Sequence, residues 1–221
     1  MNPGPGEPEA GPWRSESLAH FADSLTGPRL NRPRLIAIDG RGGSGKTALA
    51  GRLCRLLQPA AVVHSDDVAW NHSRFGWHDL MIGGVLEPLR AGRGVHYQPP
   101  AWQREGRDGH IDIAAGASAV VVEGVGVSRR ELAPLFDVLI WVQSDYDEAR
   151  ERGIRRDKAE LGRDDEEALR EWWAWEAEEV PFLRADRPWD RAHVIVGTAS
   201  TLPHDPDTEV MVVRRSVDPV G

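Results

Sequence analysis

Residues 35 to 47 read LIAIDGRGGSGKT, an apolar run that breaks into four glycines and closes on Lys46 and Thr47. From Gly40 onward the string satisfies G-x-x-x-x-G-K-[ST], with an apolar strand pattern before it and a helical pattern after it. A glycine-rich turn in that setting can curl its successive backbone N–H groups inward, and the following helix adds its positive N-terminal end. Together they make a cradle for phosphate. The expected contacts to a nucleoside triphosphate are Gly42, Gly43, Ser44, Gly45, Lys46 and Thr47. Lys46 would reach the terminal phosphates and Thr47 would offer its hydroxyl to Mg²⁺, a cation that takes oxygen ligands. A chain built around this loop is expected to be an α/β P-loop NTPase domain.

The remaining composition narrows the partner. At 221 residues the chain suits one α/β domain. A net charge of −8 argues against a nucleic-acid partner, since affinity for a polyanion rests on clustered Lys and Arg. A small-molecule hydroxyl acceptor is expected instead. The single cysteine, Cys54, rules out an internal disulfide and suggests a reducing compartment, with the side chain packed as a small hydrophobe. No apolar run approaches the roughly 20 residues that span a bilayer, and the N-terminus lacks a signal-peptide pattern. The chain is therefore read as cytoplasmic, with no membrane partner. A homo-oligomer is compatible with this reading.

Along the chain, residues 1–33 are expected to be a flexible segment with one short helix. Positions 1–12 are Pro, Gly and Glu with nothing to bury, whereas Leu18, Phe21, Ala22 and Leu25 share a helical face. The domain proper is expected over 34–200. Apolar runs at 35–39, 61–64, 119–122, 138–142 and 193–196 read as buried parallel strands. With helices between them they describe a five-stranded, doubly wound parallel sheet with helices on both faces, whose ligands collect at the strands' carboxyl ends. Asp39, Asp66-Asp67, Glu123 and Asp145 lie at or just beyond those ends. Residues 68–118 are expected to be an inserted substrate-covering region, with a helix over 79–90. Residues 150–165 are expected to form a lid and 201–221 a tail, in which TEVMVVR has the pattern of an edge strand.

Phosphoryl transfer requires positioning, charge neutralisation and a group that orients or deprotonates the acceptor hydroxyl. Asp66 and Asp67 follow the second strand, and adjacent residues point to different sides, so one faces the ligand and is the candidate base. Asp66 is also a candidate metal contact, and Asp67 a candidate acceptor contact. Glu123 ends a wholly apolar strand, where a charge needs a partner; with Thr47 it is a candidate ligand set for magnesium. The run 150–163 carries five arginines, among which Arg152, Arg156 and Arg163 are candidates for phosphate contact. Tyr97 and Trp102 in the covering region are candidates for stacking on the acceptor. Three of the nine tryptophans fall in 172–175, and Trp172 and Trp173 are read as one core face with Leu169 and Glu176. Trp175 lies off that face and is a candidate pocket wall. His72 and His78 are not at a helical ligand spacing, so no zinc site is expected among the eight histidines.

With these residues assembled, the stretch from 34 to 198 resembles the uridine kinase group of P-loop small-molecule kinases. The resemblance is carried by Asp66-Asp67, by GVLEPLRAGR at 84–93, by VVVEGVG followed by LAPLFDVLIWV, and above all by RGIRRDKAELGRD at 152–164. It implies that Asp66 accepts the hydroxyl proton and that Glu123 is the acid near magnesium. Arg156 would contact the triphosphate, and Arg163 would link lid and acceptor. The implied activity is ATP- and Mg²⁺-dependent phosphorylation of a hydroxyl on a nucleoside or nucleoside-like small molecule. The alternatives are a kinase for an unrelated acceptor, such as an antibiotic or sugar-like metabolite, and a slow nucleotide-dependent switch. The chain departs from the family pattern at Ala101, where an aspartate would hold ribose hydroxyls, and at Gly153 and Leu161, where the lid would carry arginines.

Overall fold

The computed structural model describes residues 1–199 and 202–215; of the C-terminal tail, positions 201 and 216–221 lie outside the described residues, as does position 200. In chain order the strands are β1 (Arg14–Ser17), β2 (Arg34–Gly40), β3 (Ala60–His64), β4 (Val95–Tyr97), β5 (Ile111–Ile113), β6 (Ala119–Glu123), β7 (Val138–Gln143), β8 (Val194–Gly197) and β9 (Glu209–Arg214). The α-helices are α1 (Leu18–Thr26), α2 (Lys46–Leu56), α3 (Ser65–Ala69), α4 (His78–Met81), α5 (Glu87–Arg90), α6 (Pro100–Glu105), α7 (Tyr146–Leu161) and α8 (Asp165–Asp186).

The main sheet has the order β1-β9-β8-β7-β2-β6-β3. The five strands from β8 to β3 run parallel, as their continuous apolar runs predict; β9 and β1 are antiparallel additions. The sheet is thus seven-stranded rather than five-stranded. TEVMVVR is not its edge, because Arg14–Ser17 pairs along its outer side. Alternation within each strand divides the interior. Ile36, Ile38, Val121, Ile140 and Val196 meet α1 and α2 on one face. Leu35, Ala37, Val120 and Val122 meet α4, α5 and the covering region on the other. Trp141 and Ile195 pack with Leu183 of α8 and Trp189. From β2 the chain visits β3 and β6 on one side, then crosses to β7 on the other. The order therefore reverses at β2, where open α/β sheets form their ligand crevice, and the glycine loop leaves the sheet at that point.

The 78–90 helix is interrupted by a π-helical turn, Ile82–Leu86. Pro88 lacks the N–H that an α-helix would return to Gly84, so the wider turn falls where the regular ladder fails. The covering region also contains a two-stranded antiparallel sheet of β4 and β5.

Positions 1–12 are not loose. Glu7 and Ala10 are buried. The Glu7 carboxylate accepts from Trp141 Nε1 at 2.5 Å, Gln143 Nε2 at 2.7 Å and Arg41 Nε at 3.1 Å. Pro3 and Pro5 accept from the Arg41 guanidinium through their carbonyls. The segment is anchored by a carboxylate and by backbone carbonyls, which apolar patterning does not register.

Candidate active site

α2 begins at Lys46 immediately after Gly45, whose φ of 101° is left-handed. Gly43 also has a positive φ, and a Cβ there would lie 2.0 Å from the Ala149 carbonyl oxygen, so only glycine allows α7 to approach the loop. Lys46 is buried, and its Nζ donates to the Arg41 carbonyl at 2.8 Å. Arg152 reaches over from α7 and donates to the Gly43 carbonyl at 3.0 Å.

β3 and β6 place their terminal residues His64 and Glu123 side by side in register. His64 Nδ1 lies 2.6 Å from Glu123 Oε1, and the Thr47 hydroxyl donates to the same oxygen at 3.1 Å. Burial raises the Glu123 pKa, but the His64 hydrogen bond, the Lys46 charge and the Thr47 hydroxyl outweigh it, so the carboxyl sits below its ordinary range. The same hydrogen bond holds the His64 imidazole above its ordinary value. Asp66, in the first turn of α3, has its pKa raised by burial, with Glu123 adding to the shift and Lys46 opposing it.

The glycine loop, the strand ends, α7, α8 and the turn joining them enclose a cleft of about 250 Å³. Gly42, Gly43, Lys46, Thr47, Asp66, Glu123, Arg156, Arg163 and Trp175 all line it. Trp172 and Arg74 line it as well. Arg156 and Arg163 both bond to Asp157, at 2.9 and 3.5 Å.

Several candidates are not in this cleft. Asp67 faces away and pairs with Arg107 at 2.6 Å. Trp102 is buried in the core, and its Nε1 donates to the Asp67 carbonyl at 2.8 Å. Tyr97 packs against Gly84, where a Cβ would sit 2.4 Å from its ring, and it lines a separate surface cleft. Ser44 and Gly45 belong to the loop but do not line the cleft, and the Arg152 guanidinium is directed to the loop carbonyl. Asp39 is fully buried; it accepts from the N–H groups of Gly40, Gly126 and Ser128 and from the Ser128 hydroxyl, tying two loops together. Asp145 caps α7.

The tryptophan face also differs from expectation. Trp172, Glu176, Glu179 and Leu183 form the buried side of α8, while Leu169 and Trp173 are exposed. Glu179 was not anticipated: its Oε1 accepts from the Gly42 N–H at 2.7 Å and from Trp175 Nε1 at 3.1 Å. His64, Glu7 and Arg74 likewise carry no motif that marks them in the sequence. The i, i+4, i+7 spacing of Trp172, Glu176 and Glu179 was the available signal for that face.

Comparisons with known proteins find similar sequences and folds. Over 159 residues the chain is 29% identical to uridine-cytidine kinase A of Dictyostelium discoideum, covering 65% of this chain and 32% of that protein. It is 28% identical over 167 residues to the uridine kinase of Saccharomyces cerevisiae, covering 66% and 33%. The chain is thus similar to uridine kinases over about two thirds of its own length. It spans about a third of the length of these curated relatives. No protein-family model matches. Among solved structures, one from Silicibacter sp. TM1040 named for a fructose transport system kinase superposes with a TM-score of 0.56 at 18% identity, covering 80% of this chain and 95% of that one. Another, titled a possible uridine kinase from Bacillus stearothermophilus, gives 0.50 at 19%, covering 80% and 96%. The chain shares its fold with these two solved structures. Among the described residues no helix is long and apolar enough to cross a membrane.

Proposed function

We propose that the chain is an ATP- and Mg²⁺-dependent kinase that phosphorylates a hydroxyl on a nucleoside or nucleoside-like small molecule. The observation that carries this reading is the convergence of Lys46, Thr47, Glu123 and Asp66 on one cleft, with two lid arginines on its wall. The groups present fit a triphosphate. Lys46 Nζ has a loop carbonyl as its partner, and Arg152 Nη2 is buried beside the loop without one. Thr47, Glu123 and Asp66 supply oxygen donors, the set a magnesium ion takes. When bound, the nucleotide supplies the phosphoryl group and the metal neutralises charge on it.

The chain's own residues divide the remaining work. Lys46 stabilises charge on the phosphates chiefly as transfer proceeds. Asp66 orients the acceptor hydroxyl and takes its proton. Arg156 and Arg163 approach the transferring phosphate, and Trp175 and Arg74 wall the acceptor side.

A second reading, an acceptor other than plain uridine or cytidine, is favoured by one feature: Ala101 and Trp102 are both buried. They present no ribose anchor to the cleft. A panel of hydroxylated small molecules, assayed for acceptor-dependent ADP release, tests both readings. Lys46→Ala should lower kcat on the order of a hundredfold or more. Uridine and cytidine should fall below a kcat/KM of roughly 10⁴ M⁻¹s⁻¹, and turnover above that would overturn the altered-acceptor reading. No acceptor-dependent turnover with any member, or unchanged turnover in the Lys46 variant, would count against the kinase.

A further inference from the structure

Away from the nucleotide cleft, the β4–β5 sheet carries an arrangement unrelated to phosphate binding. His96 and Asp112 are directly opposed partners in its antiparallel register. His110 precedes Asp112 by two positions, so strand alternation directs it to the same side. One ligand atom from each of the three lies within 4.8 Å of the others, and among the described residues no other three His, Cys, Asp or Glu side chains gather so closely. His96 Nδ1 is 2.5 Å from Asp112 Oδ1, and the two imidazoles stack with centroids 3.9 Å apart. The alternate residues Val95, Ile111 and Ile113 are buried in the core. The strands are therefore anchored through one side while the other presents two imidazoles and a carboxylate to solvent.

We propose that His96, His110 and Asp112 bind a borderline first-row divalent cation, zinc foremost. Two imidazoles and one carboxylate are the donors zinc takes, and three protein ligands leave a fourth position for water. The same set does not suit Mg²⁺, which takes oxygen ligands and keeps its hydration shell. The ligands come from both strands, so the ion clips the sheet and closes the segment between them. That segment carries α6 with Trp102, and Arg107, the groups that hold Asp67 beside Asp66.

The test uses the full, untagged chain, stripped of metal by a chelator and titrated with ZnCl₂ by calorimetry without nucleotide. The Thr47→Ala/Glu123→Gln/Asp66→Asn variant is run in parallel to remove the ionised and hydroxyl donors of the nucleotide cleft. One equivalent should bind with a Kd of about 10 µM or tighter in both proteins. His96→Ala and His110→Ala should each weaken that binding about tenfold or more. Both side chains are exposed, so the variants should keep the metal-free Tm, while the rise in Tm with zinc disappears. Co²⁺ in place of zinc should give the visible bands of a four-coordinate ion in the parent and not in the histidine variants. Binding no tighter than about 100 µM would overturn the proposal, as would binding that survives both histidine substitutions.

Discussion

Gly153 lies in the middle of α7, and the Trp172 ring of α8 lies directly across it. A Cβ at Gly153 would be 2.1 Å from Trp172 Cζ3 and 2.9 Å from Cε3 and Cη2. Ordinary carbon contacts are about 3.5 to 4.0 Å, so Gly153→Ala requires the ring to retreat by about 1.5 Å. The ring is buried, and its Cη2 also lies against Gly42 of the phosphate loop, which leaves it little room. Overpacking of this severity belongs near the upper end of the usual range, about 3 kcal/mol. Alanine in a helix interior returns about 1 kcal/mol over glycine. The expected net loss is about 2 kcal/mol, a fall in Tm of roughly 4 to 8 °C for a domain of this size.

Removing the ring reverses the sign. Trp172→Ala alone should cost about 3 to 5 kcal/mol through the cavity it leaves. In that background Gly153→Ala has nothing to displace, and its helix preference should stabilise by about 1 kcal/mol. The coupling between the two sites is then about 3 kcal/mol, far above the few tenths expected of independent positions. Urea unfolding of the four proteins, read by circular dichroism, measures it. A Gly153→Ala change that stabilises in both backgrounds would refute the reasoning, as would coupling below about 0.5 kcal/mol.

Two further predictions follow from the site and from the base of the sheet. Asp66→Asn should lower kcat by about 10² to 10⁴ with nucleotide affinity little changed, whereas Asp67→Asn should act mainly through the loss of its Arg107 pair. Steady-state kinetics on both variants would reverse the assignment if only the Asp67 change abolished turnover. At the other end of the sheet, Asp137 accepts from both Arg32 Nη groups at 2.7 Å and from the Leu35 N–H at 2.8 Å. Burial opposes ionisation there, but the Arg32 and Leu35 hydrogen bonds outweigh it and hold the carboxyl below its usual 3.8. A depressed carboxylate stabilises the fold above its unfolded pKa and loses that contribution as pH falls through the folded value. Asp137→Asn should therefore cost about 1 to 3 kcal/mol at neutral pH, with the deficit shrinking as the medium is acidified below pH 4. A deficit that stays constant with pH would assign the effect to shape rather than charge.

What the sequence displays and what it hides divide along physical lines. The phosphate loop is legible because only one backbone path satisfies four glycines followed by Lys46 and Thr47. The five parallel strands are legible because burial on both faces leaves unbroken apolar runs. The N-terminal brace is not, since Glu7 meets Trp141 and Gln143 across 134 and 136 positions and no apolar periodicity surrounds it. Tyr97 and Trp102 show the limit of aromatic residues as pocket markers: the same ring fills a core as readily as it stacks on a ligand, and here both pack within the covering region. The His96, His110 and Asp112 group depends on strand register, which spacing along the chain does not reveal. Trp173 was grouped with Trp172 although neighbours on a helix diverge by about 100°, so the period itself separates them.

The departures at the lid belong together. The family pattern leads one to expect an arginine where Gly153 stands, and the Trp172 ring occupies the space such a side chain would need. Gly153 and Trp172 fit together, with the indole occupying the space over Gly153 and laid against Gly42. On the proposed kinase reading, Arg156 and Arg163 then carry the neutralisation. Arg156 and Arg163 both rest on Asp157, and their side chains are 52% and 31% exposed. Ion pairs at that exposure are worth about 0 to 1 kcal/mol, so transferring either guanidinium from Asp157 to an arriving phosphate costs little. Bidentate contact to a phosphate in the enclosed cleft is the stronger interaction. On the proposed kinase reading, the balance favours arginines parked on Asp157 and released by an arriving nucleotide, with Trp172 packed against the helix that carries Arg156.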